Sequence, residues 1–182
     1  YPVHGAPELA ATLAEQLGAR GWRAHLDTDR GLDHGVFVPG MLLFPRADIP
    51  CLQLSLLDSL DAAAHVKLGH ALRALREQNV LIIGSGFSFH NMRAFFDPVT
   101  EREAQLNLAF ENWLEATLGI ENEQERERAL VSWKHAPGAA FCHPREEHLL
   151  PVHVCAAAAG HSVTREWRFT ALGRHGSCYW WD

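Results

Sequence analysis

Apolar positions along the chain follow two periods that alternate from segment to segment. Between Pro7 and Arg20, Leu9, Leu13 and Leu17 recur every fourth residue, which predicts a helix with Pro7 in its first turn and Gly21 at its stop. Ala62 to Gln78 predicts a second helix with Val66, Leu68, Ala71, Leu72 and Leu75 on its inner side. Thr100 to Leu118 predicts a third, striped by Leu106, Ala109, Phe110, Trp113 and Leu114. Glu146 to Gly160 reads as a buried helix in which Ala156 to Ala159 allow close packing. Between these lie short runs of strand type: Trp22 to Leu26, Pro50 to Leu56 and Val80 to Ile83, with one or two closing strands over Trp167 to Trp181 turned at Gly173 and Gly176. Phe37 to Leu43 is apolar but broken by Pro39-Gly40, and Ser132 to Ala140 reads as a helix end and loop. Strands alternating with helices predict an α/β fold: a single domain with a mostly parallel central sheet flanked by helices.

Composition narrows the picture. Hydrophobic residues make up 47% of the 182 positions and charged residues 21%, the balance of one globular domain rather than a disordered chain. The formal charge is −6 with no basic run, which argues against sequence-independent nucleic-acid binding. The mixed charges of Glu121 to Arg128 predict a solvated helix face. The longest apolar run, Leu149 to Gly160, is interrupted by Pro151 and His153 and is too short to span a membrane. Cys51, Cys142, Cys155 and Cys178 form no CxxC pair, so reduced thiols in a cytoplasmic protein are expected rather than a cysteine zinc site.

Twelve histidines carry the candidate chemistry, since imidazole is both the commonest metal ligand and the usual acid/base near neutral pH. Most, including His4, His25, His65, His70, His135, His161 and His175, sit in helix or loop contexts without a partner pattern. Three stand apart. His34 lies in GLDHG, between glycines that let the backbone approach a ligand. His90 and Asn91 follow the strand-type run and the Gly84-Ser85-Gly86 turn, a common way to present a base at a sheet edge. His148 sits in HPREEHLLP beside Glu146 and Glu147, at the mouth of a buried helix. Helix-dipole stabilisation accounts for the two glutamates there, but poorly for the histidine.

GLDHG, ADIPCLQLSL, LIIGSGFSFHNMR and HPREEHLLP, in that order, resemble the class III (LigB-type) extradiol ring-cleavage dioxygenases, in the DOPA dioxygenase branch. The resemblance covers about Tyr1 to Gly160. It implies a non-haem Fe(II) enzyme, zinc being possible in the same site, that opens a catecholic ring with dioxygen beside its hydroxyl pair. His148 matches the family's C-terminal metal ligand, with Glu147 and His90 as weaker ligand candidates. His90 matches the acid/base beside the metal, and His34 a further active-site histidine that handles substrate or oxygen. Asn91, His143 and Arg145 are the expected substrate-binding residues, with Ser88 and Asn91 anchoring the turn. The family draws two more histidine ligands from a segment ahead of the one matching Tyr1. The N-terminal strands are therefore expected to be missing, and residues 1–182 to form the C-terminal two-thirds of a catalytic domain.

Two other readings stand beside this one: a zinc-dependent hydrolase or isomerase on a similar frame, and a catalytically incomplete fragment that binds a partner. The apolar tail Cys178-Tyr179-Trp180-Trp181 fits a homodimer contact or a piece of core.

Overall fold

The computed structural model describes all residues, Tyr1–Asp182, as two compact units, Tyr1–Ser55 and Leu56–Asp182. In the first unit, α1 (Pro7–Ala19) forms where the fourfold leucine spacing predicts it and buries Leu13 and Leu17. Helix α2 (His34–Leu43) occupies the apolar run that Pro39-Gly40 was expected to break. Pro39 lies inside the helix, and α2 buries none of its residues. Trp22 to Leu26 forms no strand, and Pro50 to Leu56 contributes only an isolated parallel bridge, Gly5 to Cys51.

The second unit is helical around one hairpin. Helix α3 (Ala62–Leu72), capped by the Asp61 side chain, runs into a 3-10 turn, Arg73–Gln78. Its inner residues Val66, Leu68, Ala71, Leu72 and Leu75 are all buried. It packs on α8 (Leu150–Ala159), where Ala156 to Ala159 keep the helices close. Helix α4 (Met92–Phe95) is a single turn capped by Asn91. Helix α5 (Glu101–Leu118) starts in a full capping box between Thr100 and Glu103, which satisfies two otherwise orphaned N–H groups. Helices α6 (Glu123–Val131) and α7 (Ala139–Cys142) follow. The core joins Phe89, Phe110, Leu114, Leu118, Leu130 and Trp133 to the start of α8.

The sheet differs from expectation. The one sheet is an antiparallel pair, β1 (Arg165–Ala171) and β2 (Arg174–Trp180), turned at Leu172-Gly173. Gly176 lies within β2 opposite Phe169 rather than at a turn. No central parallel sheet is present, and Val80 to Ile83 is not in a strand, with Leu81 and Ile83 more than half exposed. The reason is physical: an apolar run becomes a strand only when a neighbour takes its N–H and C=O groups, and sequence pattern records the side chains, not the neighbour. The tail divides: Tyr179 and Trp181 pack against the core, while Cys178 and Trp180 are exposed. The charged run is not wholly solvated, because Arg126 is 1% exposed and donates to the Ile120 carbonyl at 2.5 Å. No helix is long and apolar enough to cross a membrane.

His153, fully buried on α8, faces the Leu130 carbonyl at 2.9 Å and the Leu149 carbonyl at 3.3 Å. Burial pushes its pKa down to about 4, so the folded ring stays neutral while the unfolded one takes a proton near pH 6.5. The unfolded state thus binds more protons between those values, and the stability this group contributes is lost as pH falls from about 6.5 to about 4. In urea titrations across that window, wild-type stability should fall more steeply than that of a His153→Leu variant, by up to about 1.4 kcal/mol per pH unit.

Candidate metal centre

Two glycines allow the centre to form. The segment after Ile83 runs against the turn that leads into α8. A Cβ on Gly84 would lie 2.8 Å from the Pro151 carbonyl oxygen, and one on Gly86 would lie 2.2 Å from that of His148. With both positions bare, Phe87 N–H donates to the His148 carbonyl at 3.1 Å and His90 N–H to the Cys142 carbonyl at 2.8 Å. The Gly-Ser-Gly element therefore serves close backbone approach, where the sequence suggested a sharp turn.

This strapping sets the His90 and His148 rings face to face, 3.3 Å between centroids and 12° from parallel. Glu147 completes the group: one ligand atom from each of His90, Glu147 and His148 lies within 4.8 Å of the others. Glu147 Oε1 is 3.7 Å from His148 Nδ1, and its Oε2 lies 3.0 Å from Arg145 Nε as an ion pair. Partial burial lowers the His90 pKa, and the Glu147 charge opposes that shift. His90 is thereby held neutral near pH 7, with a carboxylate at hand to favour its cation. Two imidazoles and a carboxylate on half-buried side chains fit a divalent transition metal such as iron or zinc.

His143, 2% exposed, lies behind the pair. A carbonyl only accepts, so its Nε2 carries the proton and donates to Ser88 O at 2.7 Å. Burial pushes its pKa down to about 4. Asn91 donates through Nδ2 to Phe141 O at 2.8 Å, and its Oδ1 caps α4, taking Ala94 N–H at 3.2 Å. Both side chains, expected to bind substrate, are engaged with the backbone. Arg145 remains largely exposed, at 72%. His34 belongs to the other unit, where it opens α2 with its Nδ1 3.0 Å from Asp33 Oδ1. A cavity of ≈ 230 Å³ is lined by Trp133, Lys134, Ala140, His143, Pro144 and Glu146, and neither His90 nor His148 borders it. All four cysteines are free, and burial pushes the thiols of Cys142 and Cys155 up to about 12 and 11, away from nucleophilic use.

Sequence reasoning named His90, His148 and Glu147 but missed the buried carboxyl of Glu111. A signal existed: Asn107, Glu111, Leu114 and Leu118 recur at helical spacing, which places two polar residues on a face that is buried.

With this geometry in hand, comparison with known proteins defines the class. Residues 1–177 match the family model described as the catalytic LigB subunit of aromatic ring-opening dioxygenase. The chain belongs to this LigB family. It is 40% identical over 170 residues to the 4,5-DOPA dioxygenase extradiol of Beta vulgaris, covering 91% of this chain and 61% of that protein. It is 38% identical over 177 residues to dioxygenase tasH of Hapsidospora irregularis, covering 92% of this chain and 54% of that one. The chain therefore spans between half and two-thirds of the length of these relatives. A crystal structure of an uncharacterized protein from Escherichia coli K12 superposes with a TM-score of 0.82 at 27% identity, covering 97% of this chain and 73% of that one.

The close approach at Gly86 gives a direct check. Gly86→Ala should destabilise the protein by about 1–3 kcal/mol in denaturant titration, because the new methyl would overlap the His148 carbonyl and force backbone to shift. A change within about 0.5 kcal/mol would mean the two segments do not touch in this way.

Proposed function

We propose that this chain carries the C-terminal part of the active site of an extradiol dioxygenase, which opens a catecholic ring and inserts both atoms of dioxygen. The observation that carries the reading is the His90–His148 stack with Glu147 beside it, built from the two motifs that most resemble the family. The names of the relatives support the reaction class, and the 4,5-DOPA in several of them supports a catechol bearing a charged side chain. We take residues 1–182 as belonging to one catalytic domain.

His148 is assigned as metal ligand, with Glu147 as a weaker candidate; His90, the other weaker candidate, is given the acid/base part beside the metal. Fe(II) is assigned over zinc because dioxygen chemistry needs a redox-active metal. When bound, the metal would supply open positions for the catechol oxygens and for dioxygen, and would pass electron density between them. The residues themselves move protons and hold the substrate. An imidazole nitrogen of His90, neutral at working pH, takes a proton from one catechol hydroxyl. The Glu147 carboxylate stabilises the resulting cation. The same proton is returned to an oxygen of the product as the ring opens, so none is gained or lost over the cycle. Arg145, exposed and paired with Glu147, is assigned to a substrate carboxylate. The part given to His34, substrate or oxygen handling, rests on the family resemblance.

The test is oxygen uptake by iron-reconstituted full-length protein with catechols, read together with formation of a ring-opened semialdehyde. Absence of both would overturn the reading. His148→Ala should lose bound metal. His90→Ala should keep metal and lower kcat by about 10²- to 10⁴-fold, the usual range for a positioned acid/base. Loss of metal in His90→Ala would move that residue to the ligand set.

A further inference from the structure

Glu111 lies on α5 with no exposed surface. Its Oε2 accepts from the Ser177 hydroxyl at 2.7 Å. Ser177 in turn donates its backbone N–H to the Ser88 hydroxyl oxygen at 3.1 Å. That leaves the Ser88 O–H proton free to turn toward the carboxyl, beside which it lies. The Ser88 carbonyl takes the His143 Nε2 proton. Ser88 is thus fixed on one side by α5 and β2 and on the other by the His143–His148 turn. It stands two residues before His90, in a segment whose N–H groups at Phe87 and His90 clip to His148 and Cys142.

A buried carboxyl so placed needs a reason. Burial raises its pKa, and the two hydroxyls offset the rise only in part, so the site tolerates a neutral group. A second polar residue on the same face offers a contrast. Asn107, equally buried, bonds to β2 through both its amide ends, donating to His175 O at 3.1 Å and accepting His175 N–H at 2.7 Å. It ties α5 to β2 as Glu111 does, yet no hydrogen bond links it to the segment of His90. Holding the hairpin to the helix does not require Glu111; reaching Ser88 does.

We propose that Glu111 is a positioning residue which, through the hydroxyls of Ser177 and Ser88, fixes the 87–90 segment and thereby the ring of His90 against His148. The inference rests on the function proposed above for its kinetic consequence, and on geometry alone for its structural one.

Ser88→Ala, Glu111→Leu and Glu111→Gln are compared with Asn107→Ala in full-length, iron-loaded protein. Amide hydrogen exchange at Phe87 and His90, kcat, KM and melting temperature are measured. Ser88→Ala and Glu111→Leu should speed exchange at both amides by about tenfold or more. They should also lower kcat by about tenfold, since displacement of a reacting group by an ångström costs up to about 10²-fold, with KM within about twofold. Glu111→Gln, isosteric and still an acceptor for Ser177, should restore both. Asn107→Ala should lower the melting temperature and change neither. Unchanged exchange in Ser88→Ala overturns the proposal, and so does equal loss of protection in Asn107→Ala or a Glu111→Gln variant as impaired as Glu111→Leu. Should Glu111→Leu not fold, Ser88→Ala and Glu111→Gln decide. Inactive wild-type protein would instead count against the proposed function, leaving the exchange comparison to judge the role of Glu111.

Discussion

Backbone touches backbone where Gly86 meets the carbonyl of His148, and side chains on either side of that contact take their places from it. Few interactions in the second unit have so little slack. A Cβ there would stand 2.2 Å from an oxygen, a separation no side chain achieves. Close approach lets Phe87 and His90 give their N–H groups to His148 and Cys142. Those bonds satisfy donors that burial would otherwise leave costly, and they align two imidazoles that are 58 positions apart in the chain. The rings are therefore held mainly by main-chain geometry, which is stiffer than any rotamer preference of their own.

Around this seam the unit places its polar groups in layers. His143 sits immediately behind, neutral and bonded to Ser88. Behind Ser88 stand Ser177 and Glu111, and the aromatic rings of Phe89, Phe110 and Phe141 close the space between. Arg174, fully buried, lies over Phe89 and Phe141 and pairs with Glu103, so the hairpin is joined to this layer by charge as well as by apolar contact. Such a shell excludes water from the back of the site and leaves the Glu147–Arg145 side half open.

Helices were legible in the sequence because their evidence is local. The leucine spacing of α1, the inner stripe of α3 and the apolar stripe of α5 all lie within a few residues of what they determine. The strand-type runs at Trp22, Pro50 and Val80 were not legible, since a strand is defined by a partner elsewhere in the chain. α2 shows the reverse error: Pro39 was given more power to break a helix than it has at this position. Motif order pointed to His90, His148 and Glu147, which the fold brings together, whereas the engagement of Asn91 and His143 with the backbone was not readable. Their residue types fit ligand binding and structural anchoring equally, and only coordinates show which carbonyls lie 2.8 Å and 2.7 Å away.

The parallel rings of His90 and His148 have a consequence for solvation. At a centroid separation of 3.3 Å no water fits between their faces, so each imidazole shields one side of the other. Solvent and ligands can then reach the pair only at the ring edges, which is where the nitrogens lie.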